Sequence, residues 1–215
     1  MATTKFKDMQ RAYGFEEVAI VPGDITVNPD QTNTDFKIGN LTFSIPIVAA
    51  AMDAAVDPNF AILMHKLGGL AVLNLDGVQA RYKKPEEILA KIVQAPDNEV
   101  TSLLQKVYSE PIKEELIGER IQTIKQAGAT CAISLIPANT KRLAPVVKEA
   151  GADILVIQST VTTARHISKS YRGLIFSELC QTLGIPIIVG NCVTYSASLE
   201  LMRTGIDGIL VGVGP

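Results

Sequence analysis

The sequence predicts an α/β fold built on a parallel sheet, and three observations carry the prediction. Six short segments rich in Val, Ile, Leu and Ala, at 47–51, 69–74, 131–135, 153–158, 186–190 and 208–212, read as strands buried on both faces. Their starts lie 22, 62, 22, 33 and 22 residues apart, and a spacing of 22 holds one strand, one helix and two short loops. A helix-ending signature recurs before the strands: Lys66-Leu67-Gly68, Lys125-Gln126-Ala127-Gly128, Lys148-Glu149-Ala150-Gly151 and Arg203-Thr204-Gly205, with Gly184 before the fifth strand. A cation in the last turn favours the negative end of the helix dipole, and glycine takes the left-handed conformation that closes a helix. The repeat is therefore one of β/α units.

The first unit pairs the strand at 47–51 with a helix at 59–67, and the second strand follows at once at Gly69. The gap of 62 breaks the rhythm. Three helical patterns stand in a row between Pro85 and Ala127: Ile88, Leu89, Ile92 and Val93; Val100, Leu103, Leu104 and Val107; and Ile112, Leu116, Ile121, Ile124 and Ala127. Pro85 and Pro111 are placed at helix starts, where the missing N–H costs nothing. The expectation is a helical insertion at 85–127 inside one β/α unit, most simply a packing or oligomer surface.

Six parallel strands suit either an open doubly wound sheet or part of a closed barrel. The open dinucleotide-binding sheet should show G-x-G-x-x-G after its first strand, but here that strand ends Ala50-Ala51-Met52-Asp53-Ala54. The predicted fold is thus a (β/α)8 TIM barrel, of which this chain supplies the first six β/α units over residues 1–215. Function in such a barrel sits at the C-terminal ends of the strands. These carry Met52 and Asp53, Asn74 and Asp76, Ser134, Gln158 to Thr160, Asn191, and Gly212 to Gly214.

Composition excludes several classes. A net charge of −2 with scattered basic residues argues against a nucleic-acid surface, and Arg81-Tyr82-Lys83-Lys84 reads as a solvated loop edge. The longest apolar run, 45–52, is far short of the roughly 20 residues a membrane helix needs. No signal peptide opens the chain, so a cytoplasmic location is expected. Three cysteines without a C-x-x-C pair, and two histidines far apart, suggest neither a disulfide framework nor a zinc site.

The strand ends are poor in catalysts. They offer amides, hydroxyls and glycines, groups that suit a nucleotide or sugar phosphate, with no paired carboxylates and no nucleophile beside its base. Asp207 precedes its strand and reads as a turn cap, whereas Asp53 suits a backbone hydrogen bond or a site role equally. Asn191 can donate and accept, which favours a ligand contact over a loop bond. Cys192 reads as a small buried hydrophobe, and His65 and His166 as structural or solvated. The last stretch, 208–215, is a strand breaking into glycines that admit close backbone approach.

Several stretches together resemble one family, IMP dehydrogenase and GMP reductase. Gly14-Phe15-Glu16-Glu17-Val18-Ala19-Ile20-Val21-Pro22-Gly23 is similar to its "F-D-D-V-L-L-V-P" opening, and 46–57 to its "S-A-A-M-D-T-V-T-E" first strand end. Gly68-Gly69-Leu70 resembles "G-G-I-G", 189–194 resembles "G-N-V-x-T", and Gly212-Val213-Gly214-Pro215 resembles the start of "G-x-G-P-G-S-x-C". The resemblance implies a barrel that binds a purine nucleotide beside a nicotinamide dinucleotide. In the family, the cysteine of the last motif attacks purine C2, and hydride passes between C2 and the nicotinamide. Water resolves the adduct in the dehydrogenase; in the reductase the adduct forms with loss of ammonia.

Carried over by that resemblance, Met52 and Asn191 lie near the purine nucleotide, and Gln158, Ser159, Thr160, Gly212 and Gly214 near the dinucleotide. Gly214 would also offer its carbonyl to a monovalent cation, K+ in many members. A homo-oligomer, tetramer or octamer, is implied. The sequence departs from the family at Ala49 and Ala54, and at Gln158 and Val161, where "D-S-S-Q-G" is usual. The segment 85–127 stands where many dehydrogenases carry a pair of regulatory modules, and it is too short and too helical for them.

The expected function is NAD-dependent oxidation of IMP to XMP, with GMP reductase as the close alternative. An FMN-dependent barrel and a non-catalytic purine-binding barrel are further readings. A complete barrel takes roughly 250 residues and eight strands. The expectation is therefore a chain that stops after the sixth strand, with no catalytic residue of its own, the nucleophilic cysteine following shortly after residue 215, and no activity by itself.

Overall fold

The computed structural model describes residues 11, 13–167 and 173–213. The described residues divide into two units, those up to 33 and those of 34–213. In the first, the single-turn helix Phe15–Glu17 is closed by the Gly14 amide donating to the Glu17 carboxylate at 2.9 Å. A second turn, Pro29–Gln31, follows, with the Thr32 hydroxyl donating to the Pro29 carbonyl at 2.6 Å.

The second unit holds the six expected strands: β3 (Val48–Ala49), β4 (Leu70–Asn74), β5 (Ala132–Leu135), β6 (Ile154–Gln158), β7 (Ile187–Cys192) and β8 (Gly208–Val211). They pair in parallel in sequence order and curl into part of a (β/α)8 barrel. Side chains alternate between two cores, as a strand periodicity of two requires. Leu73, Ile133, Leu135, Leu155, Ile157 and Val189 face the helices, while Leu70, Val72, Ala132, Ile154, Val156 and Ile188 face the inner side of the curl. Burying one such Leu or Ile contributes about 1.5–3 kcal/mol.

The inner core has a component absent from the sequence reading, an antiparallel hairpin of β1 (Phe36–Ile38) and β2 (Leu41–Phe43). Ile38 and Phe43 are buried in the inner core, and the Phe36 and Phe43 rings stack at 4.8 Å. Its two-residue turn is Gly39-Asn40, with Gly39 at φ 57°, and it lies against Pro186 and Asp207 at the starts of β7 and β8. Gly-Asn between short alternating runs is itself a hairpin signal.

Helices α1 (Pro58–Lys66), α2 (Pro85–Gln94), α3 (Asp97–Ser109), α4 (Glu114–Gln126), α5 (Pro137–Glu149), α6 (Phe176–Leu183) and α7 (Tyr195–Met202) fill the connections. The glycine after α1, α4, α5, α6 and α7 has a positive φ in each case, so the recurrent signature is a true helix terminator. Lys125 does more than complement the helix dipole. It grips both oxygens of Asp153 at 2.7 and 2.8 Å, and Asp153 in turn accepts from the Cys131 amide, which ties α4 to the starts of β5 and β6.

Between β4 and β5, three helices stand where three apolar stripes are read. They are not equivalent. Leu116, Ile117, Ile121 and Ile124 of α4 are fully buried and the helix packs between α1 and α5, so α4 is an ordinary barrel helix. The additional pair is α2 and α3, which pack on each other and bury only Pro85 and Val107 fully. Pro85 begins α2 as expected, but Pro111 does not begin α4. The Lys113 amide donates to the Ala80 carbonyl at 2.8 Å and Lys113 itself is extended, so the helix begins only at Glu114.

Candidate functional site

Met52, Gln158, Ser159, Thr160, Asn191 and Gly212 all lie at or just beyond the C-terminal ends of the sheet strands, and Gly214 lies outside the described residues. The structure joins two of these groups closely. At the ends of β6 and β7, the Ser159 amide donates to the Gly190 carbonyl at 3.0 Å, the Asn191 amide to the Ser159 carbonyl at 3.1 Å, and the Thr162 amide to the Asn191 carbonyl at 2.9 Å. Next door, the Gly212 amide donates to the Cys192 carbonyl at 2.8 Å. Met52 stands apart just past the end of β3, the other edge of the sheet, and the residue is 58% exposed.

Asn191 is presented by a bulge. Gly190 pairs with Leu210 and Cys192 with Val211, so Asn191 is the extra residue on β7. A bulge turns a side chain away from the regular alternation. Gly190 makes it possible: a Cβ there would lie 2.4 Å from the Leu210 Cβ. Both backbone groups of Asn191 are engaged, while its side-chain amide has no partner among the described residues, and the same is true of the Gln158 amide and the Thr160 hydroxyl. These uncommitted groups can donate and accept toward a ligand.

Ser159 differs from its neighbours. Its hydroxyl donates to the Val161 carbonyl at 2.9 Å and meets the Thr162 hydroxyl at 3.0 Å, so it shapes the turn. Thr162, which sequence reasoning missed, is the buried pin of the site: its hydroxyl donates to the Gly190 carbonyl at 2.6 Å. Nothing local in "Ser-Thr-Val-Thr-Thr" separates Thr162 from Thr160 or Thr163, because the distinction is made by a strand 28 residues away. Beside this knot lies a cleft of about 360 Å³, lined by Ile136 and Pro137 after β5, Ser159, Thr162 and His166 after β6, and Phe176 at the start of α6.

The ends of β3, β4 and β5 are built differently. Asp53 accepts from the Asn74 amide at 3.1 Å, the Val78 amide at 3.0 Å and the Tyr108 hydroxyl at 2.7 Å, which decides its ambiguity in favour of a structural role. Asn74 in turn accepts from the Asp76 amide, and Asp76 accepts from the Ile136 amide at 2.6 Å and from the Asn139 side chain. Burial raises the Asp76 carboxyl above the ordinary carboxylate range, against the lowering pull of Asn139 and Ile136. Burial and the bond to Asp53 push the Tyr108 hydroxyl up to about 12, so it stays a donor.

The cysteines and His65 take the structural roles expected of them, whereas His166 lines the cleft. Burial raises the Cys192 and Cys180 thiols and pushes Cys131 up to about 12, the reverse of an activated nucleophile. Asp207 caps the start of β7 by accepting from the Ile187 amide at 2.8 Å. His65 accepts from the Thr130 amide at 3.3 Å. Among the described residues no group of three or more His, Cys, Asp or Glu is placed to hold a metal ion, and no helix is long and apolar enough to cross a membrane.

Comparison with known proteins agrees with this fold. The family model for the IMP dehydrogenase / GMP reductase domain matches residues 12–215. An uncharacterized oxidoreductase of Mycolicibacterium smegmatis is 35% identical over 210 residues, 95% of this chain and 56% of that protein. The inosine-5'-monophosphate dehydrogenase of Cryptosporidium parvum is 25% identical over 218 residues, 97% of this chain and 53% of the dehydrogenase. The crystal structure of an IMP dehydrogenase/GMP reductase-like protein from Corynebacterium glutamicum superposes with a TM-score of 0.89 at 32% identity, covering 96% of this chain and 55% of that one. The chain thus spans about half the length of the relatives it matches.

Proposed function

Since the chain belongs to the IMP dehydrogenase / GMP reductase family, we propose that it forms the strand-end half of a purine-nucleotide oxidoreductase site that oxidises IMP to XMP with NAD+. In that reaction IMP, NAD+ and water give XMP, NADH and a proton. The observation that carries the reading is the bulge at Asn191, which presents an uncommitted amide where Gly190 lets β7 and β8 close together. Asn191 would hold the purine nucleotide, with Met52 against it from the opposite edge of the sheet.

The residues beside the cleft also fit a nicotinamide. The cleft has apolar walls in Ile136, Leu174 and Phe176 and polar groups in Thr162, Thr163 and His166, which suits a flat ring bearing an amide. Gln158 and Thr160, which flank Ser159 at the same strand end without lining the cleft, would offer hydrogen bonds to the rest of the dinucleotide, while Ser159 and Thr162 hold their turn in place. When bound, NAD+ would supply the hydride acceptor. Gly212 and Gly214, outside the described residues in the latter case, would let the backbone approach the dinucleotide, and a monovalent cation at Gly214 stays part of the proposal.

The second reading is GMP reductase, the other activity in the family's description. A relative 35% identical carries only the name of an uncharacterized oxidoreductase, whereas inosine-5'-monophosphate dehydrogenases are 24–25% identical, so the choice of substrate falls to experiment. The test is an assay of the protein carrying this domain with IMP or GMP and each nicotinamide dinucleotide. Formation of NADH with IMP alone is the expected result. Consumption of NADPH with GMP alone would reassign it as a reductase, and turnover of neither nucleotide would overturn both readings.

A further inference from the structure

The hydrogen bonds at the ends of β3, β4 and β5 form one continuous chain that begins on the additional helix pair. Tyr108, in the last turn of α3, donates to Asp53 at 2.7 Å; Asp53 binds Asn74; Asn74 binds the Asp76 amide; and Asp76 binds the Ile136 amide. Ile136 lines the cleft. The arrangement is tight around Asp53, because a Cβ on Gly77 would fall 1.8 Å from its Oδ1. Only glycine there leaves room for the carboxylate. Asp53 follows Met52 directly, and the Met52 carbonyl accepts from the amides of Ala55 and Val56, each at 3.0 Å, so the orientation of Asp53 is tied to that of the Met52 turn.

A second tyrosine anchors the same helix without touching this chain. The Tyr82 hydroxyl donates to the Val107 carbonyl at 3.0 Å, and Arg81 donates to the Glu110 carbonyl. The two hydroxyls therefore attach α3 in different ways. Tyr82 holds the helix backbone to the loop after β4, whereas Tyr108 reaches through to the strand end that carries Met52.

We infer that Tyr108 is a positioning residue of the nucleotide site: through Asp53 it fixes the Met52 strand end, so that α3 helps to set nucleotide affinity from outside the barrel. A carboxylate has more acceptor capacity than Asn74 and Val78 fill, and a third donor, charge-assisted and short, limits its rotation. Without the hydroxyl, Asp53 keeps two partners and the turn gains freedom that a bound nucleotide must then remove. The inference rests on the purine-nucleotide reading for its ligand, although not for the linkage itself.

The test compares Tyr108→Phe with Tyr82→Phe in the full chain, titrating IMP and GMP and following amide hydrogen exchange at Val78. Tyr108→Phe is expected to weaken nucleotide binding about tenfold and to speed exchange at Val78, while Tyr82→Phe changes affinity less than twofold. Equal weakening by both variants would mean that α3 only stabilises the fold, and the positioning role would be lost. Unchanged exchange at Val78 in Tyr108→Phe would overturn the linkage. If the unaltered protein binds neither nucleotide, the purine reading fails, and the exchange comparison still decides the linkage by itself.

Discussion

Two ends of the same sheet handle their polar groups in opposite ways. At β6 and β7, backbone groups and two hydroxyls hold the turn, which leaves the amides of Asn191 and Gln158 uncommitted. At β3 to β5, the side chains themselves are engaged, with Asp53 alone accepting three bonds. The strand-end position marks both regions equally, so position does not tell an uncommitted side chain from a supporting one. What tells them apart is whether the side chain already has partners.

The largest expected effect that would break the comparison is at Gly190. A methyl group there meets the Leu210 Cβ at 2.4 Å and the Leu210 carbonyl at 3.1 Å, both on a neighbouring strand with little room to move. Gly190→Ala should lower the unfolding free energy by about 3 kcal/mol in denaturant titrations. Leu210→Ala in the same chain should not recover the loss, because alanine keeps both the Cβ and the carbonyl that the new methyl meets. No loss in Gly190→Ala would mean that β7 and β8 do not meet as closely as the bulge requires.

A smaller effect sharpens the contrast through pH. Tyr108 ionises at about 12 in the folded chain against an ordinary 10, so the folded state favours its protonated form. The stability it contributes is complete below pH 10 and is lost as pH rises through about 12. Tyr108→Phe should therefore flatten the alkaline fall in stability between those values. Thr162 has no group that titrates in this range, so Thr162→Val should lower stability by about 1–3 kcal/mol at every pH. Cys131 also ionises near 12, and because it does so in every variant the comparison between them isolates Tyr108.

The barrel units were legible because their signals are local. A buried run of Val and Ile, followed by a helix and a terminating glycine, needs no distant partner to be recognised, and all six strands lie where that pattern puts them. The hairpin carried an equally local signal in Gly39-Asn40, but its strands are three residues each, too short for alternation to stand out. Asn191 was legible as a strand-end amide, whereas its bulge depends on Leu210 in the next strand. Thr162 and Tyr108 were not legible. Each acts on a residue at least 28 positions away, and Tyr108 sits beside the apolar stripe of α3 that draws the eye to Val107 instead.

Asn191 has both backbone groups engaged, and its side-chain amide has no partner among the described residues. The direct test is equilibrium binding of IMP to the full chain and to Asn191→Ala, with the stability of each measured alongside. Affinity should fall about tenfold or more in the variant while stability changes by less than about 0.5 kcal/mol, as for a side chain without structural partners. Unchanged affinity, or a loss of stability large enough to explain the fall, would contradict the assignment of this strand end as the nucleotide site.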